Sequence, residues 1–529
     1  MYQIMKKLCL MVLALIVFNS CTKNFEEINT NPNQITDKLL EQDFNLVGSS
    51  FSVMLFNLMG HQIEEDLCYD NWMGYMGAPT PYVGNVNNTT YYLRWIDAYW
   101  NRIYGSVMSP SKQVIQLAEE KKLPLFGDWA KLVRVLAISK LTAIHGPVIY
   151  SNYGTGGLGS IKYDKESDLY NTLFTQLDQI ETNFKANTTY TGFTKFDPSY
   201  KGNMNAWLKL LNSIRFRLAM RLVKVSPTLA KTQGEKALAD PAGLISTNAE
   251  NFLLPLNGNV MPVSMICFDW NDTRMGATME SFMVGLKDGR IAKYFGEVSD
   301  ASLVTDHPTY KYKGIRSGAY INAKDDRVPY STVSTDFKSV QNRRGFTAAE
   351  TAFLKAEAAL RGWANAGDAK TNYENGVRLS FADWGAAGVD AYLADATSKP
   401  INYIDPKDSK NNFTALSTIT VAWNAGDSNE LKLEKIITQK YLSAFTNTLE
   451  SWVDFRRTGY PKIPHVAKND SSPDWGVITA DQWIKRLVFV PAERTGNASA
   501  VAEAATFLSS GKDDIASRLW WDTSTASNF

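Results

Sequence analysis

Two stretches concentrate side chains that could hold a ligand. The segment NWMGYMGAPTPYVGNVNNTTYY, residues 71–92, sets Asn71, Trp72, Tyr75 and Tyr82 among glycines and prolines. The segment ICFDWNDTRMG, residues 266–276, gathers Asp269, Trp270, Asn271 and Arg274. Tyrosine and tryptophan offer rigid apolar area with a polar tip, and a site needs only a few convergent polar groups beside such rings. Flat rings suit sugar faces, leaving Asn, Asp and Arg to bond hydroxyls. Tyr320 and Arg343, within the irregular stretch 299–345, extend the candidate set. The glycine-flanked rings read as loop residues outside the core. Trp100, Trp207 and Trp363 fall at helical spacing and read as core, as do Trp452, Trp520 and Trp521.

Other chemistries find no support. GTGGLG, residues 154–159, matches G-x-G-x-x-G, but the polar SIKYDKESD that follows is not the apolar helix a dinucleotide site requires. Glu64, Glu65 and Asp66 raise glycoside hydrolysis, which needs two carboxyls about 5–9.5 Å apart. Adjacent acids on a helix diverge, so they read as a solvated acidic face. No G-x-S-x-G elbow and no Ser–His or Cys–His pairing is present. The four histidines, His61, His145, His307 and His465, lack ligand spacing, so no metal site is assigned. The Asp- and Asn-rich loops could take a structural calcium ion, without EF-hand spacing. No other cofactor is expected, and no enzyme.

Lys6 and Lys7 precede LCLMVLALIVF, eleven uncharged residues from Leu8 to Phe18. A bilayer-spanning helix needs about 20 apolar residues, so this run reads as a secretory signal over 1–20. Cys21 would then be the first mature residue, where a bacterial lipoprotein is acylated. Ser20 is suitably small at the position before the cut; Phe18 stands where leucine is usual. With Cys9 removed and Cys21 lipidated, Cys68 and Cys267 remain. They could form a disulfide or persist as two buried thiols. The formal charge is +1, which argues against a nucleic-acid partner.

The elements that must carry the loops are mostly helices. Leu169, Leu173, Leu177, Ile180 and Phe184 recur at helical spacing, as do Trp207, Leu211, Ile214, Leu218 and Leu222. Arg215, Arg217 and Arg221 fall largely off the second stripe. LKLEKIITQKYLSAF predicts a helix capped through Asp427 and Glu430, and 93–107 and 128–144 predict two more. AETAFLKAEAALRGWANAGDAKTNYENGVRLSF reads as a tetratricopeptide-like hairpin, its second helix starting near Asp368 with Tyr373 and Phe381 facing back. One hairpin cannot bury its own face, so others should stack on it. The fold class is mainly α, a scaffold of helical hairpins with long loops and minor β elements.

These pieces, in order, resemble the SusD/RagB family of nutrient-binding outer-membrane lipoproteins of Bacteroidota. The resemblance is carried by CTKNFEEINTNPNQIT, MGYMGAPTPYVGN, LPLFGDWAKLVRVLAISKLTAIHGPVIYS, WLKLLNSIRFRLAMRLV, AFLKAEAALRGW, LEKIITQKYLSAFTNTLESWVDFRRTGYP, IKRLVFVPAE and GKDDIASRLWWD. It implies a lipidated tether over 21–36 and a single domain over 37–529. It also implies an oligosaccharide or other nutrient ligand and a SusC-like TonB-dependent transporter that the protein caps as a lid. The lipid would anchor it to the outer membrane, facing the exterior. Two rival readings are a lipoprotein glycoside hydrolase and a scaffold for protein adhesion. Mass spectrometry of the mature protein should find Cys21 as an acylated first residue; an acyl-free one would remove the membrane tether.

Overall fold

Local capping accounts for where the long helices begin. The computed structural model describes residues 1–6, 42–82, 84, 86–155, 160–307, 309–523 and 527–529. Cys21 and the tether 21–36 lie outside these residues. The chain forms two compact units, Met1–Ser49 and Ser50–Phe529, and the second carries every long helix described. Nine described helices have ten residues or more: α1 Ser109–Glu120, α2 Pro124–His145, α3 Glu166–Lys185, α4 Met204–Arg221, α5 Pro227–Ala239, α6 Ala348–Leu360, α7 Ala369–Asp383, α8 Asn429–Ser443 and α9 Leu449–Thr458. Pro124 and Pro227 open α2 and α5, where the missing N–H would lack a partner in any case. Asn203 caps α4 by accepting from the Ala206 N–H, and Thr347 caps α6 through Glu350. The predicted cap of α8 is corrected. Ser428 accepts from the Leu431 N–H, while Asp427 pairs with Lys435 at 2.8 Å.

Consecutive helices pack as antiparallel-style hairpins, α1 on α2, α4 on α5 and α6 on α7. The last matches the tetratricopeptide-like expectation. Asp368 caps α7 through the Thr371 N–H at 2.8 Å, Tyr373 is buried edge-on to Phe353 of α6, and Phe381 is buried against Tyr392 and Arg290 instead. Helices α3 and α4 join the first two hairpins, and α8 covers both α6 and α7. Rings fill the first junction, with Trp129 stacked on Phe193 at 4.4 Å and edge-on to Trp207 at 5.4 Å. The strands are short: β1 Met76–Gly77 pairs antiparallel with β3 Arg274–Met275, and β2 Phe252–Pro255 with β4 Asn342–Phe346.

The arginines that fall off the apolar stripe of α4 are buried. Arg215 reaches Asp178 at 2.6 Å and Glu181 at 2.9 Å on α3. Arg217 forms a two-pronged pair with Glu350 of α6, both bonds 2.6 Å. Arg221 bonds both oxygens of Glu450 of α9 at 2.8 and 2.9 Å. From α9, Arg457 returns to Glu357 of α6 at 2.6 and 2.8 Å, and Asp454 takes Lys440 of α8 at 2.8 Å. Amphipathic spacing alone places cations on a wet face; here they tie five helices together inside the scaffold.

Burial works against the Glu357 carboxylate, but Arg457 and Arg361 outweigh it and hold its pKa down at about 2. Burial likewise opposes Glu450, and Arg221 and Arg217 hold it at about 2. A carboxylate depressed on folding contributes stability that is present above its unfolded value and drains away as pH falls toward its folded one. The urea midpoint should therefore fall steeply from about pH 4.5 to pH 2. Glu357→Ala, which removes both strong bonds to the buried Arg457 and leaves it to share Asp454 with Lys440, should cost about 3–5 kcal/mol at neutral pH; a midpoint close to the parent's would contradict the role given to this pair.

Candidate ligand-binding cleft

The candidate loops meet where three backbone segments cross at van der Waals distance. A Cβ on Gly276 would lie 2.0 Å from the Gly74 carbonyl oxygen, and one on Gly77 would lie 2.5 Å from that of Ile315. These glycines permit close approach of backbone to backbone; they do not loosen a loop. Trp72 and Tyr75 are consequently core, 3% and 0% exposed, which corrects their reading as loop rings. The Trp72 indole N–H donates to the Asn88 carbonyl at 2.7 Å, and the Tyr75 hydroxyl donates to that of Tyr441 at 2.6 Å. Asn71 is buried and accepts from the Ser317 hydroxyl at 2.9 Å. Arg274 is buried too, donating to the Thr273, Val328 and Cys267 carbonyls and to Asn271. These four do not face solvent; they frame the residues that do.

Beside this frame lies a polar cleft lined by Thr80, Asn87, Thr90, Arg316, Tyr320, Asn322 and Lys410, among others. Trp72 positions its Asn87–Thr90 wall through Asn88, and Asn71 positions the Arg316 wall through Ser317. Asn411 clamps Tyr320: its amide accepts from the Tyr320 N–H at 2.8 Å and donates to the Tyr320 carbonyl at 3.0 Å. The same amide donates to Asp405 at 2.7 Å. The half-buried Tyr320 ring has the Lys410 ammonium 5.2 Å from its centre. Arg316 is held by the His465 and Asn412 carbonyls at 2.9 and 2.8 Å.

A single carboxylate joins the remaining candidates to this cleft. Asp272 accepts from Thr80 at 2.5 Å and from Lys324 at 2.6 Å, and Lys324 also donates to the Trp270 carbonyl at 2.9 Å. Trp270 is 41% exposed, and Asp269 and Asn271 are exposed beside it. Tyr82 is half-buried, and its buried hydroxyl has no hydrogen-bond partner among the described residues. Burial, helped by Asp272, pushes that hydroxyl's pKa up, so it stays a donor. Tyr82 and Asn271 hold φ angles of 55° and 53°. Such left-handed conformations cost about 1–3 kcal/mol each and gather at ligand sites.

Arg343 lies elsewhere. It is buried, paired with Glu65 and donating to the Gly60 carbonyl at 2.6 Å. The acidic run also differs from its solvated reading, because Glu64, Glu65 and Asp66 are all buried within the π-helical stretch Gln62–Asp70. Glu64 pairs with Arg102 at 2.6 Å, and Asp66 accepts from Thr273 at 2.8 Å. Burial and the neighbouring Asp70 push the Asp66 carboxyl well up, and burial with Glu65 raises Asp70 to about 7. Their shared cavity measures about 20 Å³, room for a water and not for a sugar ring.

Among the described residues, one group has metal-ligand spacing: Glu280, Asp306 and His307. The Lys313 ammonium already sits in it, 2.8 Å from Glu280 and 3.1 Å from Asp306. The cleft residues that spacing did not single out are Thr80, Arg316, Lys410 and Asn411. Lys410 and Asn411 fall in 385–425, a stretch whose Gly, Asn, Asp and aromatic content marks it as more than a connector.

Helical hairpins presenting a loop-built cleft make this a ligand-binding architecture, with rings and amides at the surface and the acidic run Glu64–Asp66 buried. The chain belongs to the SusD-like family, described as SusD and RagB outer membrane lipoproteins, which it matches over residues 27–522. It is similar to a chitin-binding SusD homologue from Flavobacterium johnsoniae, 36% identical, with TM-score 0.85 over 91% of this chain and 100% of that one. A SusD-like protein from Bacteroides thetaiotaomicron is 31% identical, with TM-score 0.81 over 90% and 98% of the two chains. A SusD homologue from Bacteroides vulgatus is 29% identical, with TM-score 0.85 over 92% and 100%. Comparison with curated proteins gives no match.

Cys68 and Cys267 are both buried and unbonded, so the disulfide alternative is not realised. The Cys68 sulfur accepts from the Asn88 amide at 3.4 Å and the Cys267 sulfur from the Val333 N–H at 3.4 Å. Burial lifts the Cys68 thiol to about 12, which keeps it un-ionised and inert. Native protein at pH 8 should resist iodoacetamide at both positions, and denatured, unreduced protein should take up label at both. Absence of label after denaturation would show a bridge.

Proposed function

We propose that this protein is a non-catalytic binding lipoprotein of the cell surface that captures an oligosaccharide and passes it to a SusC-like TonB-dependent transporter, acting as its lid. The observation that carries this reading is the cleft. Tyr320 offers a ring face, and Asn322, Arg316 and Lys410 offer bonds to sugar hydroxyls; the exposed Trp270 adds a second ring on the loop that Asp272 and Lys324 tie to Thr80 of the cleft. The similarity to a chitin-binding homologue supports chitin-type oligomers as the first ligand class to try. Family membership supports the membrane anchorage and the transporter partner.

The hydrolase reading would need two carboxyls flanking a space for a sugar. The buried Asp66 and Asp70 flank room for a water, and Asp272 is committed to Thr80 and Lys324. Binding without turnover is the better-supported chemistry.

Calorimetric titration with chitohexaose tests this proposal directly. Trp270→Ala and Tyr320→Ala should each weaken binding about tenfold, the loss of one stacked ring. Trp72→Ala should instead lower stability by about 3–5 kcal/mol, as expected of a core tryptophan. Unchanged affinity in both ring variants would remove the cleft as the site. Product appearing on prolonged incubation would overturn the non-catalytic reading, and recovery from native membranes without a β-barrel partner would overturn the transporter assignment.

A further inference from the structure

A second cavity opens at the C-terminal end of α9. It measures about 590 Å³, against about 100 Å³ for the cleft. Its lining is one-sided in charge: Lys224, Arg456, Arg457, Lys462 and Lys485 contribute five cations, and Asp522 the single carboxylate. Two of the cations are neutralised outside the cavity. Arg457 is paired with Glu357 and Asp454, and Lys462 with Glu434 at 2.8 Å.

The other three are under-compensated. Arg456 is 3% exposed and directs its guanidinium at backbone carbonyls: those of Trp452, Lys485 and Ala143, at 3.1, 2.8 and 2.7 Å. The Lys224 ammonium reaches the Arg457 carbonyl at 3.4 Å and the Asn528 side-chain oxygen at 3.5 Å, and pairs with no carboxylate among the described residues. Lys485 lies 3.6 Å from Asp522, whose buried oxygens accept no hydrogen bond from the described residues. Three cations thus share one carboxylate in a partly desolvated space. Burial lowers the proton affinity of all three, Arg456 to about 9. Buried charge is retained at a cost unless something pairs it.

The opposite wall is apolar. Phe455 and Trp483 meet edge to face at 5.1 Å, Ile463 is buried beside them, and Leu416 is 51% exposed at the rim. The Trp483 indole N–H is buried and has no acceptor among the described residues, and one face of its ring is covered by His465 at 3.4 Å.

We propose that this cavity is a second ligand site, selective for a small organic anion that carries its carboxylate or sulfate on a ring-shaped or apolar body. Lys224, Arg456 and Lys485 face the charge, and Phe455 and Trp483 face the body. The site is independent of the oligosaccharide reading, because it shares no lining residue with the cleft.

The test is fluorescence and calorimetric titration of the full mature protein with four probes: glucuronate, N-acetylglucosamine 6-sulfate, inorganic sulfate and neutral N-acetylglucosamine. The two organic anions should bind and quench tryptophan emission, more weakly as salt rises. Inorganic sulfate should bind at least about tenfold more weakly, and the neutral sugar should not compete. Lys224→Gln and Lys485→Gln should each weaken the organic anions about tenfold, the loss of one charge-assisted bond, while Lys224→Arg retains them. Thermal melts of each variant verify that the fold is intact. Silence of both organic anions, equal binding by the glutamine variants, or inorganic sulfate binding as tightly would overturn the proposal. So would loss of the effect in Tyr320→Ala, which would place the anion in the loop cleft.

Discussion

Charge buried between helices is the constraint on which the rest of the structure depends. Arg217, Arg221 and Arg457 each meet a glutamate on another helix with bonds of 2.6–2.9 Å. A two-pronged guanidinium–carboxylate contact is planar and directional. A hydrophobic contact tolerates a helix sliding by part of a turn, whereas these pairs do not. Sliding would strand a charge where water cannot reach it, and the penalty for that exceeds the worth of the pair itself. The helices are therefore locked in register, and the loops inherit a rigid floor.

That floor matters because the cleft is assembled from segments scattered over most of the chain. Residues near 72–90, 270–274, 316–327, 405–412 and 465–470 are tied to one another through side-chain bonds, some to backbone and some to other side chains. None of these segments is a long regular element, and each keeps its shape because it is pinned to another. Asp272 shows the economy of the arrangement, since one carboxylate fixes Thr80 and Lys324 and, through Lys324, the Trp270 loop.

The sequence discloses the scaffold better than the cleft, for physical reasons. The α6–α7 hairpin is legible because a helix repeats its pattern every few residues and Asp368 announces the second start. The α4 stripe is equally plain, but its arginines mislead, because a cation off the apolar face looks solvated until its partner is known. Those partners, Glu350 and Glu450, lie more than 130 residues away. The loops suffer from the opposite ambiguity. Glycine beside aromatic residues reads as surface, yet Gly77 and Gly276 are there so that backbones can touch, and Trp72 and Tyr75 are carried inward. Trp270, Tyr82 and Tyr320 keep their accessible readings because nothing packs over them completely.

The Asn411 clamp has a consequence for the lifetime of the molecule. A side-chain amide presents an acceptor and a donor side by side, and here each meets its complement on the Tyr320 backbone while a second donor hydrogen meets Asp405. A carboxylate of the same shape has acceptors only. Hydrolysis of that one amide, the ordinary chemical ageing of asparagine, would set oxygen against the Tyr320 carbonyl and charge against Asp405. The aim of the ring that lines the cleft is thus set by a group whose slow decay reverses its own grip, and burial of Asn411 is what shields it from the water that would attack it.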